Sequence, residues 1–256
     1  CFGTGTKWGK RANNLPPDEI NGELVDSILN ALRIGFTHID TAEWYGTEPE
    51  ETGKPRSSVF ITTKIAPPPT NVKESFEKSL KKLGPSWKVW NDLEELVEAK
   101  KIRSIGVSNW RIEDFNAILA TDPKIKPSVN QIEFHAYSQG LKLRKFVESE
   151  AKIGTVVAAY GPLQPLIKFA ENGRVQDVVN KIAADKGAEV TGSQVLLAWG
   201  WAVGTIQVTT SAKEERLKEA VAALDIVLMK KKLLKFQRLD QIPHVAQVLD
   251  DKQFDD

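Results

Sequence analysis

An α/β fold built on a parallel sheet, closed or open, is predicted by three observations. Short apolar runs alternate with amphipathic helical stretches along the whole chain. The runs lack the alternating polarity of a half-exposed sheet, as expected for strands covered by helices on both faces. At 256 residues the chain has the length at which barrels of about 250 residues form one domain. It is read as a single domain, 1–256, with a tail from about 229.

The predicted strands are Phe36–Ala42, Val59–Ile65, Ile102–Ser108, Ser128–Phe134, Thr155–Ala159 and Ile206–Thr210, and the chain opens in mid-element at Cys1-Phe2-Gly3-Thr4-Gly5-Thr6. The first helix, Glu23–Ile34, places Leu24, Ile28, Leu29 and Leu32 at helical spacing. Similar patterns cover Val72–Leu83, Asp92–Ala99, Ile112–Ala120, Leu141–Ala151, Val175–Lys186, Ser193–Ala202 and Lys213–Leu224. Val190 to Ala212 is free of charge and long enough to span a bilayer, but its glycines and its change of period mark a buried helix followed by a buried strand. Beyond Met229, the lysines 230, 231, 232 and 235 are expected on a solvated face, and Gln253–Asp256 is expected to fray.

The alternation breaks in two places. Two helical stretches follow the strand Val59–Ile65 with only Gly84-Pro85-Ser86 between them, where a parallel sheet needs a strand. Thr47–Arg56, where a connecting helix belongs, holds no aliphatic residue to face a core. The chain is therefore expected to lack one strand and most of one helix, and its start, without methionine, is expected to be truncated.

Composition narrows the function. A net charge of +1 argues against a nucleic-acid footprint, which needs a clustered basic excess. One cysteine cannot form an internal disulfide and suits a reducing, cytoplasmic compartment. Three histidines and that cysteine, widely scattered, give no metal-ligand spacing, so no metal is expected. No basic-then-apolar signal segment is expected before the first strand. Nothing marks an oligomer interface.

Residues at the strand ends carry the chemical signal, because a parallel barrel gathers its site there. Asp40 leaves an apolar strand, where a carboxylate is expensive unless paired. Lys64 ends the next strand, so an Asp40–Lys64 pair can form, with Tyr45 on the following loop. A nearby ammonium would lower the tyrosine's pKa and make it a better proton donor. A structural ion pair beside a loop tyrosine fits these residues equally. Gly3-Thr4-Gly5-Thr6-Lys7-Trp8-Gly9 imitates a dinucleotide fingerprint, but its spacing is one residue too long and no helix follows directly. It reads as a strand end and loop whose glycines let a ligand approach closely.

His38-Ile39-Asp40-Thr41-Ala42-Glu43-Trp44-Tyr45-Gly46, followed by Ile61-Thr62-Thr63-Lys64, is similar to the aldo-keto reductase signature, in wording nearest to fungal members. Ile102 to Trp110, Val129 to His135, Ala159-Tyr160-Gly161-Pro162-Leu163 and Val208-Thr209-Thr210-Ser211 with Glu215-Arg216-Leu217 resemble that family's fifth to eighth strands, in order. The resemblance implies a (β/α)8 TIM barrel and an oxidoreductase that reduces aldehydes or ketones with NADPH, NADH remaining open. Tyr45 would protonate the carbonyl oxygen, with Lys64 and Asp40 tuning it. Ser108, Asn109 and Gln131 would hold the nicotinamide carboxamide, and Tyr160 would stack on the ring. Leu163 would lie along the pyrophosphate, and Ser211 and Arg216 would meet the adenosine 2′-phosphate. Among the tryptophans 8, 44, 87 and 110, Trp44 and Trp110 are favoured for the substrate pocket because they follow strand ends.

Two departures stand out. Thr210 occupies a position where many family members carry lysine, with Lys213 nearby. The family's catalytic histidine, expected between Lys64 and Ser108, is absent, since no histidine occurs between Lys64 and Gln131. The loss coincides with the missing fourth strand. His38 and His135 match other family positions and do not replace it. The alternatives to an active reductase are an impaired NADP(H)-binding barrel and a truncated product with little activity.

Overall fold

A computed structural model of the chain describes residues 1–9, 16, 21–42, 45, 56–65, 87–170, 173–187, 189–237 and 239. Strand β1 (Phe2–Gly3) is followed by a single 3-10 turn at Thr6–Trp8; helix α1 (Gly22–Ile34), β2 (His38–Asp40) and β3 (Phe60–Thr62) come next among the described residues. Helix α2 (Trp87–Glu98) and β4 (Val107–Ser108) follow, then α3 (Ile112–Leu119), β5 (Val129–Glu133), α4 (Leu141–Lys145), β6 (Val156–Tyr160) and α5 (Gln164–Ile167). The chain continues through α6 (Arg174–Ala184), α7 (Gly192–Ala202), β7 (Ile206–Gln207), α8 (Glu214–Ala222) and α9 (Lys230–Gln237).

All strand pairs among the described residues are parallel. β1, β2 and β3 form one ladder and β4 to β7 another in sequence order. The two ladders join where Gly3 donates to the Thr209 carbonyl (2.9 Å) and Thr209 donates to the Cys1 carbonyl (3.1 Å). The strands therefore run round a barrel wall in the order β3, β2, β1, β7, β6, β5, β4. No ladder joins β3 to β4 among the described residues, and the segment expected from the sequence to lack a strand lies outside them. Residues 66–86, with the helix expected at Val72–Leu83, lie outside the described residues, as do 46–55. Across this side, the Arg103 guanidinium lies 5.8 Å from the Phe60 ring centroid. Phe60 is 37% exposed, unusual for a barrel-lining aromatic, because no strand among the described residues covers it on that flank.

The elements form for local reasons. Asn21 caps α1 by accepting from the Leu24 amide, and Gly35 (φ +121) ends it in a conformation other residues avoid. The buried stripe Leu24, Ile28, Ala31 and Leu32 packs with Phe2, Ile39, Leu217 and Ala220 in one apolar cluster. Thr191 and Gln194 form a reciprocal capping box on α7. That helix is apolar all round because it is covered on two sides: Leu197 joins the α1 cluster, while Val195, Leu196 and Trp199 join a second cluster with Phe134, Val157, Ile182 and Phe236. The charge-free run 190–212 is thus a buried helix and strand. No described helix is long and apolar enough to cross a membrane.

Two expectations change. The single helix expected over Leu141–Ala151 is α-helical only to Lys145 and widens into a π-turn over Phe146–Glu150, in which Ala151 donates to the Phe146 carbonyl. The lysine-rich tail is not simply a solvated face. It contains α9, whose Phe236 is fully buried against Trp199 (centroids 5.3 Å) and whose Lys232, 12% exposed, pairs with Asp185 at 3.3 Å. Gln253–Asp256 lies outside the described residues.

Gly106 sets the spacing of β4 against β5. A Cβ there would press into the Val129 side chain and lie 2.7 Å from the Val129 carbonyl oxygen. Backbone cannot yield as a flexible side chain can, so Gly106→Ala is expected to destabilise the protein by about 1–3 kcal/mol, read as a lower urea midpoint at unchanged m-value.

Candidate active site

Every expected site residue that approaches the others does so at the C-terminal ends of the strands. Asp40 ends β2, and its carboxylate is 5% exposed. Such a group is tolerable only if both oxygens find donors. Lys64, two residues beyond β3, places its ammonium 2.7 Å from Asp40 Oδ1 and donates also to the Thr41 carbonyl (2.9 Å). Gln131 of β5 donates from Nε2 to Asp40 Oδ2, again at 2.7 Å. Parallel pairing puts Asp40 opposite Thr62, which brings the β3 end alongside. The Gln131 contact reaches across the barrel and joins the two ladders.

Tyr45 lies over this pair, with the Lys64 ammonium 5.3 Å from its ring centroid. Gly5 makes the approach possible: a Cβ there would stand 2.9 Å from the Tyr45 ring and 3.3 Å from its hydroxyl. The group that Gly5 in the loop after β1 admits is thus the tyrosine side chain. The lowered phenol pKa expected from Lys64 is not found. Burial, and then the negative charge of Asp40, push the Tyr45 hydroxyl above its ordinary value. Lys64 is paired with Asp40, so little net positive charge is left to act on the phenol.

The second half of the site is held through main chain. The Asn109 amide and the Ser108 hydroxyl both donate to the Gln131 carbonyl, each at 2.9 Å. Asn109 adopts φ +57, a left-handed conformation that asparagine tolerates better than most residues. Its Oδ1 accepts from the Tyr160 hydroxyl at 3.2 Å. Burial, with the charge of Glu133 beside it, raises the Tyr160 phenol. Asp40, Lys64, Tyr45, Gln131, Ser108, Asn109 and Tyr160 thus form one connected group.

Other expected residues stand apart from it. Leu163 is packed between the two large apolar clusters, which leaves its backbone rather than its side chain to face a ligand. Ser211 precedes α8 and accepts from the Lys213 amide (3.0 Å), and Arg216 lies exposed in the first turn of that helix. Both are open to an anion. Thr210 accepts from the indole nitrogen of Trp8 (2.8 Å), which makes Trp8 a core residue at 1% exposure. Trp110 does not turn toward the group. Its ring packs against Trp90 and Phe115 under the helices, because Asn130 clamps its backbone by accepting from its amide and donating to its carbonyl. Trp44 lies outside the described residues, as does the side chain of Trp87.

Neither described histidine replaces the missing one. His38 shares the inner face with Asp40, bonds Thr62 Oγ1 at 2.8 Å, and is pushed down to about 4 by burial, the amino terminus and Lys64 against the pull of Asp40. His135 is fully buried. Its Nδ1 accepts from the amides of Tyr137 and Ser138, which places the proton on Nε2, 3.2 Å from Glu133 Oε1.

Sequence and structure comparisons identify the family. The profile of the Aldo/keto reductase family matches residues 1–242. The chain belongs to that family. An NAD/NADP-dependent indole-3-acetaldehyde reductase of Schizosaccharomyces pombe is 36% identical over 249 residues, covering 86% of this chain and 84% of that protein. An NADPH-dependent alpha-keto amide reductase of Saccharomyces cerevisiae is 31% identical, covering 86% and 79%. The crystal structure of an aldo/keto reductase from Brucella melitensis superposes with a TM-score of 0.68 at 28% identity, over 86% of this chain and 91% of that one. The family fold is the (β/α)8 barrel, and the chain is an NAD(P)-dependent reductase by membership.

The Glu133–His135 contact was not visible in the sequence and has a pH signature. The His135 hydrogen bond holds the Glu133 carboxyl below its ordinary value of 4.5, against the opposing effect of burial. A carboxylate favoured by folding contributes stability above its unfolded pKa and loses it as pH falls through the lower folded value. Glu133→Gln is therefore expected to flatten the acid limb of stability below about pH 4.5, seen in urea midpoints measured between about pH 3 and pH 6.

Proposed function

We propose that the protein reduces aldehydes or ketones to alcohols with NADPH or NADH, with Tyr45 as proton donor. The observation that supports this most is the Tyr45–Lys64–Asp40 group at the barrel mouth. A phenol held protonated lies over an ammonium that can stabilise the phenolate left after proton transfer. Bound reduced nicotinamide supplies a hydride to the carbonyl carbon. The chain's own part is to orient, to exclude water and to deliver a proton to the carbonyl oxygen.

The donor set suits that cofactor. Asn109 and Gln131 carry amides that match a carboxamide, and Tyr160 sits beside them with an aromatic face. Ser211 and Arg216 at the start of α8 suit the 2′-phosphate that distinguishes NADPH. The named activities of the two fungal relatives, on an aldehyde and on a keto amide, support a small carbonyl compound as the substrate. A single domain in the cytoplasm remains the expectation.

A second reading, binding without turnover, is favoured by one observation: no histidine occurs between Lys64 and Gln131, where the family supplies its second catalytic group. Cofactor fluorescence and aldehyde-dependent oxidation of NADPH, measured on the same sample, separate the two. Turnover that falls about a hundred- to ten-thousandfold in Tyr45→Phe, at unchanged cofactor affinity, is the expected result. Tight cofactor binding by the wild type with no turnover of any aldehyde or ketone would establish the second reading.

A further inference from the structure

Gln131 makes one contact that its expected role does not require. Its Nε2 lies 2.7 Å from Asp40 Oδ2, and both residues are buried, at 8% and 4% exposure. The other carboxylate oxygen is occupied by Lys64. An ionised carboxylate only accepts hydrogen bonds. It therefore selects the NH2 end of the facing amide and turns Oε1 the other way. An amide has two N–H donors and one carbonyl, so after one N–H is committed to Asp40, Oε1 and the second N–H remain. Among the described residues, no hydrogen bond is made to Oε1. The Gln131 backbone is fixed independently, its carbonyl taking both the Asn109 amide and the Ser108 hydroxyl.

We propose that Asp40 is a positioning residue for the cofactor as well as for Lys64: by pinning the Gln131 amide, it presents Oε1 as the acceptor that selects the NH2 of the nicotinamide carboxamide. This rests on the cofactor reading above and adds to it a direction for the amide. One carboxylate then serves two ends of the site. Its Oδ1 holds the ammonium beneath Tyr45, and its Oδ2 decides which way round the carboxamide binds. A carboxamide bound one way round fixes which face of the nicotinamide meets the carbonyl.

The test compares NADP+ with its 3-acetylpyridine analogue, in which a methyl replaces the carboxamide NH2 and removes the donor. Affinities are read from quenching of tryptophan fluorescence, without turnover. The wild type is expected to prefer NADP+ by roughly tenfold, the size of one hydrogen bond to a buried acceptor. Gln131→Met is expected to bring the ratio near one. Asp40→Asn, whose own amide no longer dictates the direction of Gln131, is expected to lower the ratio by admitting the analogue. Lys64→Met, which leaves Asp40 an acceptor, is expected to keep it. A ratio near one in the wild type, or a wild-type ratio retained in Asp40→Asn, overturns the proposal. Failure of the wild type to bind either compound overturns the cofactor reading itself, and the proposal with it.

Should Asp40→Asn not fold, proton resonances of the Gln131 side-chain amide in the cofactor-free wild type decide the first step, with Gln131→Met supplying the assignment. One N–H shifted downfield and slow to exchange is expected. Two resonances at the positions and exchange rates of a solvated glutamine would refute the pinned amide.

Discussion

The Asp40 carboxylate is the constraint on which the rest of the site depends. A buried charge is stable only when paired and hydrogen-bonded, and breaking a buried pair typically costs about 3–5 kcal/mol. Asp40 meets that demand with two donors from different parts of the barrel, Lys64 beyond β3 and Gln131 on β5. The first fixes the ammonium beneath Tyr45. The second crosses the barrel interior and ties the β1–β3 ladder to the β4–β7 ladder. The requirement that stabilises a buried carboxylate thus also gathers the residues of the site.

The crossing contact matters because the barrel wall formed by the described residues is unevenly closed. On one side, backbone hydrogen bonds between β1 and the residues after β7 make a continuous parallel ladder. On the other, the described residues join β3 to β4 only through side chains, such as Arg103 over Phe60. Thr62 and Lys64, which face the interior, are only half-buried. Side-chain contacts of this exposed kind are weak beside a ladder of main-chain bonds. The Asp40–Gln131 bond, with both partners buried, is better placed to hold the two ladders in register.

Much of the fold was legible in the sequence, because the pattern of a parallel barrel is local. Five of the six predicted strands contain an observed one, since strands buried on both faces read as continuous apolar runs, and Thr155–Ala159 stops one residue short of the end of β6. The helices with a clean stripe, such as α1 and α6, matched nearly to their ends. Failures came where local pattern and tertiary packing disagree. The lysines before Phe236 hid a helix whose one aromatic is buried on Trp199, and the helical period of Leu141–Ala151 does not reveal the widening at Phe146. At the site, identities were legible but several connections were not. Asp40 and Gln131 are 91 residues apart, and no spacing rule links an acid on one strand to an amide on another across a barrel. Trp110 followed a strand end, as a pocket residue should, yet Asn130 turns its backbone so that the ring joins Trp90 and Phe115.

The raised phenol of Tyr45 sharpens what the pair beneath it does on the proposed reading. An acid must be protonated at the working pH before its strength matters, and burial with Asp40 nearby favours the protonated form. The same influences would penalise the phenolate once the proton has left. Lys64 resolves that conflict by position, lying 5.3 Å from the ring centroid while bonded to Asp40 and to the Thr41 carbonyl. In the resting state its charge is balanced by Asp40 and barely acts on the neutral phenol. When negative charge develops on the tyrosine oxygen, the ammonium is already in place to oppose it, with no reorganisation of the site. A cation whose effect grows only as the proton leaves stabilises the transition state more than the ground state, which is the condition for faster chemistry. The ion pair therefore does not have to lower the resting pKa of Tyr45 to assist it.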